Sequence, residues 1–267
     1  MILFSVVFAF NANSATLIND TEIEKEITNI IMPIAKAADI PENRLKIYIV
    51  RDDSFNAFVR GGEDIFVYTG LLKQIKNPNA LRAVVAHELG HTIGGHMVQI
   101  SQRMHDEIVR ALIIQTLGVG LMVAGGNPSA GAGVMAGATG IAQQSLLSFS
   151  RDEERMADDM AIDLMIRANQ NPNGLIEVFE QMRDISGEFE SRINPNRINH
   201  PLTSERMNNA KLKISKLKKI PTQQKSAIAQ ENKNYEILRA KLIGYLDTDK
   251  NVIIKYPDAD KSDAAIY

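Results

Sequence analysis

Two imidazoles and a carboxylate fall within little more than one helical turn at His87-Glu88-Leu89-Gly90-His91. On a helix of 3.6 residues per turn, His87 and His91 leave one face, so their rings can converge on a single divalent ion. Glu88 stands beside them, near enough to take a proton from a water held at such an ion without itself becoming a ligand. The chemistry offered is metal-assisted hydrolysis. The bland alternative is a pair of satisfied core histidines with Glu88 on a solvated stripe. It is disfavoured because three ionisable groups in an apolar helix need partners.

The helix that must carry them is well marked. Asn77-Pro78-Asn79 supplies a cap and a first-turn proline, and Leu81, Val84, Val85, Leu89 and Ile93 recur behind it at helical spacing. A catalytic zinc wants a third protein ligand. The pattern in which a third histidine follows on the same segment is not met, because position 97 is Met97 and His96 comes one residue early. His96 reads instead as a helix-terminal or supporting residue. A glutamate from a separate helix is the other solution, and Ser150-Arg151-Asp152-Glu153-Glu154-Arg155-Met156-Ala157-Asp158 offers it. Periodicity does not separate Glu153 from Glu154. Carboxylate spacing does: Glu154 has Asp158 four residues on, so one can ligate while the other accepts the N–H of a ligating histidine. An acidic helix face paired with Arg151 and Arg155 is the plain alternative.

The composition narrows the options. With 267 residues the chain can bury a substantial core, and a formal charge of -2 removes the basic footprint that nucleic-acid binding requires. No cysteine is present, so thiolate ligands and thiol nucleophiles are excluded and any metal must use His, Asp or Glu. Met1 to Phe10 is an apolar run too short to span a bilayer; with the small polar residues after it, residues 1–15 read as a secretory signal peptide, although a positively charged start is missing. That reading implies a periplasmic or envelope location.

Residues 16–220 read as the catalytic domain and 221–267 as a C-terminal helical extension, which could be the start of a truncated repeat region. Thr21 and Glu24 suggest a capping box, followed by a stripe of Ile23, Ile27, Ile30, Ile31 and Ile34 interrupted by Pro33. Strands are expected over Leu45 to Val50, Phe55 to Val59 and Ile65 to Thr69, the last two joined through Gly61-Gly62. From Ala111 to Ser150 no side chain is charged, and Gly125-Gly126-Asn127-Pro128 divides the stretch into halves too short to span a membrane. Buried helices, a lid, or a hairpin giving peripheral membrane association remain open for it. Further helices are expected over Gln144 to Ala168, Pro172 to Ser186 and Thr203 to Lys219, and around Tyr235, Leu238, Leu242 and Tyr245. The Ser215 to Lys218 spacing is read as chance. The whole is α+β, mainly helical, with a small sheet beside the zinc helix.

The His-Glu-Leu-Gly-His segment, the Ser150 to Asp158 segment and His200-Pro201-Leu202-Thr203-Ser204-Glu205-Arg206, in this order, resemble the gluzincin peptidases of the HtpX and CAAX-prenyl-protease kind, most closely the periplasmic BepA-like ones. Asn56-Ala57-Phe58 and Thr69-Gly70-Leu71-Leu72 also look like segments that precede the zinc helix there. The likeness covers roughly Ile40 to Leu217. It implies a gluzincin-type zinc endopeptidase with one zinc per chain, His87, His91 and Glu154 as ligands and Glu88 as base. Misfolded or stalled envelope polypeptides would be the substrates, held along the strand that carries Asn56-Ala57-Phe58. His200 and Arg206 are the candidate oxyanion donors. His200 could instead take the fourth zinc position as a latch, and Arg206 could simply pair with Glu205 or with the preceding helix. The rival from another class is a zinc-stabilised chaperone or binding module for apolar clients.

Overall fold

In the computed structural model, which describes residues 16–95, 151–189, 200 and 202–247, an isoleucine-striped helix and a four-stranded sheet enclose a central helix. The elements in order are β1 (Thr16–Ile18), α1 (Thr21–Ala37), β2 (Lys46–Arg51), β3 (Ala57–Arg60), β4 (Asp64–Tyr68), α2 (Thr69–Gln74) and α3 (Pro78–Ile93). There follow α4 (residues 151–167), α5 (Asn173–Phe189), α6 (Ser204–Ser215) and α7 (Lys225–Leu246). The expected leader over 1–15, His96, the uncharged stretch from Ala111 to Ser150, Pro201 and the chain beyond 247 lie outside the described residues. The fold is α+β and mainly helical, with the small sheet packed beside α3. No described helix is long and apolar enough to cross a membrane.

The sheet order is β1-β2-β4-β3, with β2 and β4 parallel and the two outer strands antiparallel to their neighbours. Alternation sends Ile49, Ala57, Ile65 and Val67 to one face, where they meet the Ile23, Ile27, Ile30, Ile31 and Ile34 stripe of α1. The β3–β4 connection turns through Gly61 and Gly62 at φ 63 and 84, a conformation that side chains with a Cβ resist. β3 is left at the edge. α3 is buried on all sides from Ala80 to Gly90, which is why its sequence has no polar face.

Several boundaries differ from expectation for local reasons. The N-cap of α1 is Asp20, whose carboxylate accepts from the N–H groups of Glu22 and Ile23, so Thr21 becomes the first helical residue. α4 ends at residue 167, followed by Asn169 at φ 55. α6 starts where Thr203 caps the N–H of Arg206 but stops at Ser215, short of Lys219. The short elements β1 and α2 were not anticipated, since three and six residues carry too little periodicity to register.

Two polar ties hold α7 to the rest, one of them through α3. Arg82, 3% exposed, donates from Nε to the Ile30 carbonyl at 2.8 Å and from both Nη groups to Glu231 at 3.0 Å, joining α1, α3 and α7. Tyr235 of α7 is fully buried and donates to the Leu72 carbonyl at 3.2 Å, with Leu238 and Leu242 in the same core. α7 therefore packs as part of the body that holds α3. Replacing Tyr235 with Ala should lower unfolding free energy by about 3–5 kcal/mol in urea titration; a loss near zero would show α7 to be an independent appendage.

Candidate metal centre

α3 presents His87 and His91 from one face with rings edge to face, centroids 4.7 Å apart, and Nε2 atoms separated by 3.1 Å. α4 crosses this face and supplies a carboxylate: Glu154 Oε2 is 3.4 Å from His87 Nε2, and Oε1 is 3.4 Å from His91 Nε2. Donors about 2.1 Å from one tetrahedral zinc lie about 3.4 Å from each other, so the three residues have the spacing of a shared coordination sphere. Glu153 is equally buried but is not a member of this cluster.

Gly90 makes the crossing possible. A Cβ at this position would stand 2.8 Å from the Ala157 carbonyl oxygen and 3.1 Å from its Cα, both backbone atoms that cannot swing aside. The glycine inside the histidine motif thus lets α4 approach closely enough for its carboxylate to reach the imidazoles. Nothing in the sequence of the motif alone signals this; only its partner helix does.

Around the three donors lies a supporting layer. Asp158 Oδ1 is 2.9 Å from His87 Nδ1, a proximity that favours the tautomer with its proton on Nδ1 and the Nε2 lone pair facing the other donors. Arg206 of α6, 6% exposed, donates from Nε and Nη2 to both oxygens of Asp158 at 2.8 Å, and its Nη1 lies 2.8 Å from Glu154 Oε2. Its guanidinium also lies over the Phe179 ring of α5, 5.1 Å from the centroid, a contact not anticipated from sequence. Glu205, the neighbour weighed for Arg206, lies 3.9 Å from Arg155. His200 Nδ1 is 2.6 Å from Glu154 Oε1, and its Nε2 is 3.6 Å from Glu88 Oε1. All seven residues singled out by sequence, His87, Glu88, His91, Glu154, Asp158, His200 and Arg206, therefore meet in one place.

The electrostatics ask for a cation. Glu88, Glu154 and Asp158 are buried, and among the described residues Arg206 is the buried permanent positive charge that pairs with Glu154 and Asp158. Burial alone would raise the Glu154 carboxyl, but hydrogen bonds from His200, His87 and His91 hold it far below the usual carboxylate range. Burial likewise works against Asp158 ionising, and Arg206 and His87 more than offset it. His87 loses by desolvation yet is pushed up to about 9 by Asp158 and Glu154, while desolvation takes His91 down to about 4. Burial pushes Glu88 above its ordinary value. A divalent ion would displace the proton that His87 otherwise holds, and its two charges with that of Arg206 would match three ionised carboxylates. The residues present fit zinc.

Beside His87 and Glu88 an apolar cavity of about 50 Å³ opens, lined by Leu71, Val84, Leu175, Val178, Phe179 and Met182, with Asn56 and Ala57 on the sheet side.

Comparison with known proteins adds a second line of observation. The family model of peptidase family M48 matches residues 21–213. The Beta-barrel assembly-enhancing protease of Escherichia coli (strain K12) is 23% identical over 239 residues, covering 89% of this chain and 47% of that protein. Metalloprotease LoiP of the same organism is 27% identical over 198 residues, 73% of this chain and 72% of that protein. Mitochondrial metalloendopeptidase OMA1 of Schizosaccharomyces pombe is 26% identical over 163 residues, 61% of this chain and 45% of that protein. The chain spans about half the length of the beta-barrel assembly-enhancing proteases it matches.

Adding one methyl group at position 90 tests the helix crossing directly. Gly90→Ala should cost about 1–3 kcal/mol of stability by overpacking and weaken zinc binding, measured by competition with a chromogenic chelator. Unchanged zinc affinity would mean that the close approach of α4 does not govern the donor geometry.

Proposed function

This chain belongs to peptidase family M48, and from that premise we propose that it is a zinc-dependent metalloendopeptidase acting on polypeptides. His87, His91 and Glu154 would hold the ion, and the observation that carries the reading is their mutual spacing with Glu88 left out of the donor set. When bound, zinc polarises the scissile carbonyl and acidifies water. Glu88 accepts the proton of the attacking water and returns it to the leaving amine; a carboxyl raised by burial is better matched to that exchange than an exposed one. Asp158 is proposed to favour the ligating His87 tautomer and Arg206 to brace Asp158 and Glu154 together, and its contacts with both carboxylates support a positioning role for Arg206 over the oxyanion role.

The peptide is proposed to lie along the open edge of β3. Asn56 accepts the N–H of Tyr68 through its carbonyl, so strand alternation turns the N–H and C=O of Ala57 away from β4 and toward that edge, next to the cavity. His200 is proposed as a latch: hydrogen-bonded to Glu154 and near Glu88, it occupies the space between the two carboxylates that a substrate carbonyl has to enter. An envelope location, with misfolded or stalled envelope proteins as substrates, a signal peptide over 1–15 and peripheral membrane association through Ala111 to Ser150, completes the proposal. The chaperone alternative is not favoured, since a structural zinc site has no need of a buried glutamate beside its ligands.

Two substitutions test the assignment. Glu88→Gln should retain one zinc per chain and lose chelator-sensitive cleavage of unfolded casein; a variant that still cleaves removes Glu88 from the mechanism. His200→Ala should keep zinc and raise kcat/KM, whereas a fall of about 100-fold or more would make His200 a donor to the developing oxyanion.

A further inference from the structure

The face of the sheet turned away from the core carries a run of stacked rings that the proposed chemistry does not use. Tyr48 of β2, Phe66 of β4 and Phe58 of β3 stand in register across three neighbouring strands. Tyr48 and Phe66 have centroids 4.7 Å apart and planes 17° from parallel; Phe58 and Phe66 have centroids 4.5 Å apart and planes 5° from parallel. Arg60 covers Phe66 at 5.0 Å and Tyr68 meets Phe58 edge-on at 6.3 Å. Phe66 and Val50 are buried on this face without belonging to the main core, so the face has a small apolar cluster of its own. Ring spacing here matches strand spacing, about 4.7–4.9 Å, so each strand adds one ring to the stack. Among the described residues, the stack ends at Phe58 on β3, the edge strand.

We propose that Phe58 is a specificity-determining residue: a peptide strand on the β3 edge continues the aromatic stack with the side chain it places opposite Phe58. The inference rests on the reading that the substrate lies along β3. Side chains of such a strand alternate, one set falling toward the cavity beside His87 and Glu88, the other onto the outer face beside Phe58. In antiparallel addition Phe58 would face its new neighbour as a non-hydrogen-bonded pair, the closer of the two kinds, at which aromatic partners gain most. The substrate class selected is an extended segment with aromatic residues at every second position, as in an unpaired strand whose one face is ring-bearing.

The test uses the whole chain with zinc and a set of host peptides having one cleavage site, differing only in Phe or Ala at each successive position on both sides of it. The ratio of kcat/KM for Phe over Ala should rise about two- to tenfold at outward positions and follow a period of two. Phe58→Leu should bring that ratio to near one at those positions and lower the melting temperature by no more than a few degrees through the lost ring stacking; Phe58→Tyr should preserve the ratio, and zinc content should stay as in the parent in both. A ratio without the two-residue period, or one that survives Phe58→Leu, overturns the proposal while leaving the peptidase reading intact. Absence of any Glu88-dependent cleavage across the set overturns both.

Discussion

Buried carboxylates govern this structure. Glu88, Glu154 and Asp158 sit where water cannot compensate them, and a lone buried carboxylate is costly enough to protonate or to disrupt its surroundings. The chain answers with a bidentate guanidinium from α6, imidazoles from α3 and a place with the donor spacing of a divalent ion. Each answer constrains an element. Arg206 must come from a helix whose start is fixed by the Thr203 cap, and α4 must cross α3 at backbone contact distance. α3 must be held rigidly, which the fully buried register from Ala80 to Gly90 and the Arg82 tie to α1 and α7 provide.

Division of labour within the acidic set follows from position rather than from chemistry. Glu154 and Asp158 are one helical turn apart on α4 and share Arg206, yet one faces both histidine Nε2 atoms and the other faces a single Nδ1. Glu88, on the other helix, is held above its ordinary pKa by burial. Neighbouring donors thereby favour the charged form of Glu154 and Asp158, while burial disfavours it at Glu88.

Much of this was readable in advance. The histidine pair, the glutamate beside it and the paired acids of α4 sit at spacings that only a helix makes sense of, and the α1 isoleucine stripe and the three strand runs have clear periods. Other parts were not readable because their meaning lies in a partner. Gly90 looks like a weak point in a helix until the Ala157 backbone is seen against it. Arg206 has a plausible neighbour in Glu205, and only the packing of α6 on α4 turns it to Asp158 and Glu154. Arg82 in an apolar helix and Phe179 in an ordinary stripe give no local sign of what they touch. The parallel pairing of β2 with β4 likewise leaves β3 at the edge, an outcome that three successive strands do not dictate.

The donor set is drawn from stretches far apart along the chain: His91 and Glu154 are separated by more than sixty residues, and Arg206 lies a further fifty or so beyond. Such a constellation has no precursor in an unstructured polypeptide, because no local segment contains it. Whatever chemistry the proposed site performs therefore depends on these helices being packed together. Separating α3, α4 and α6 would scatter the cluster, so the site and the tertiary packing are lost together.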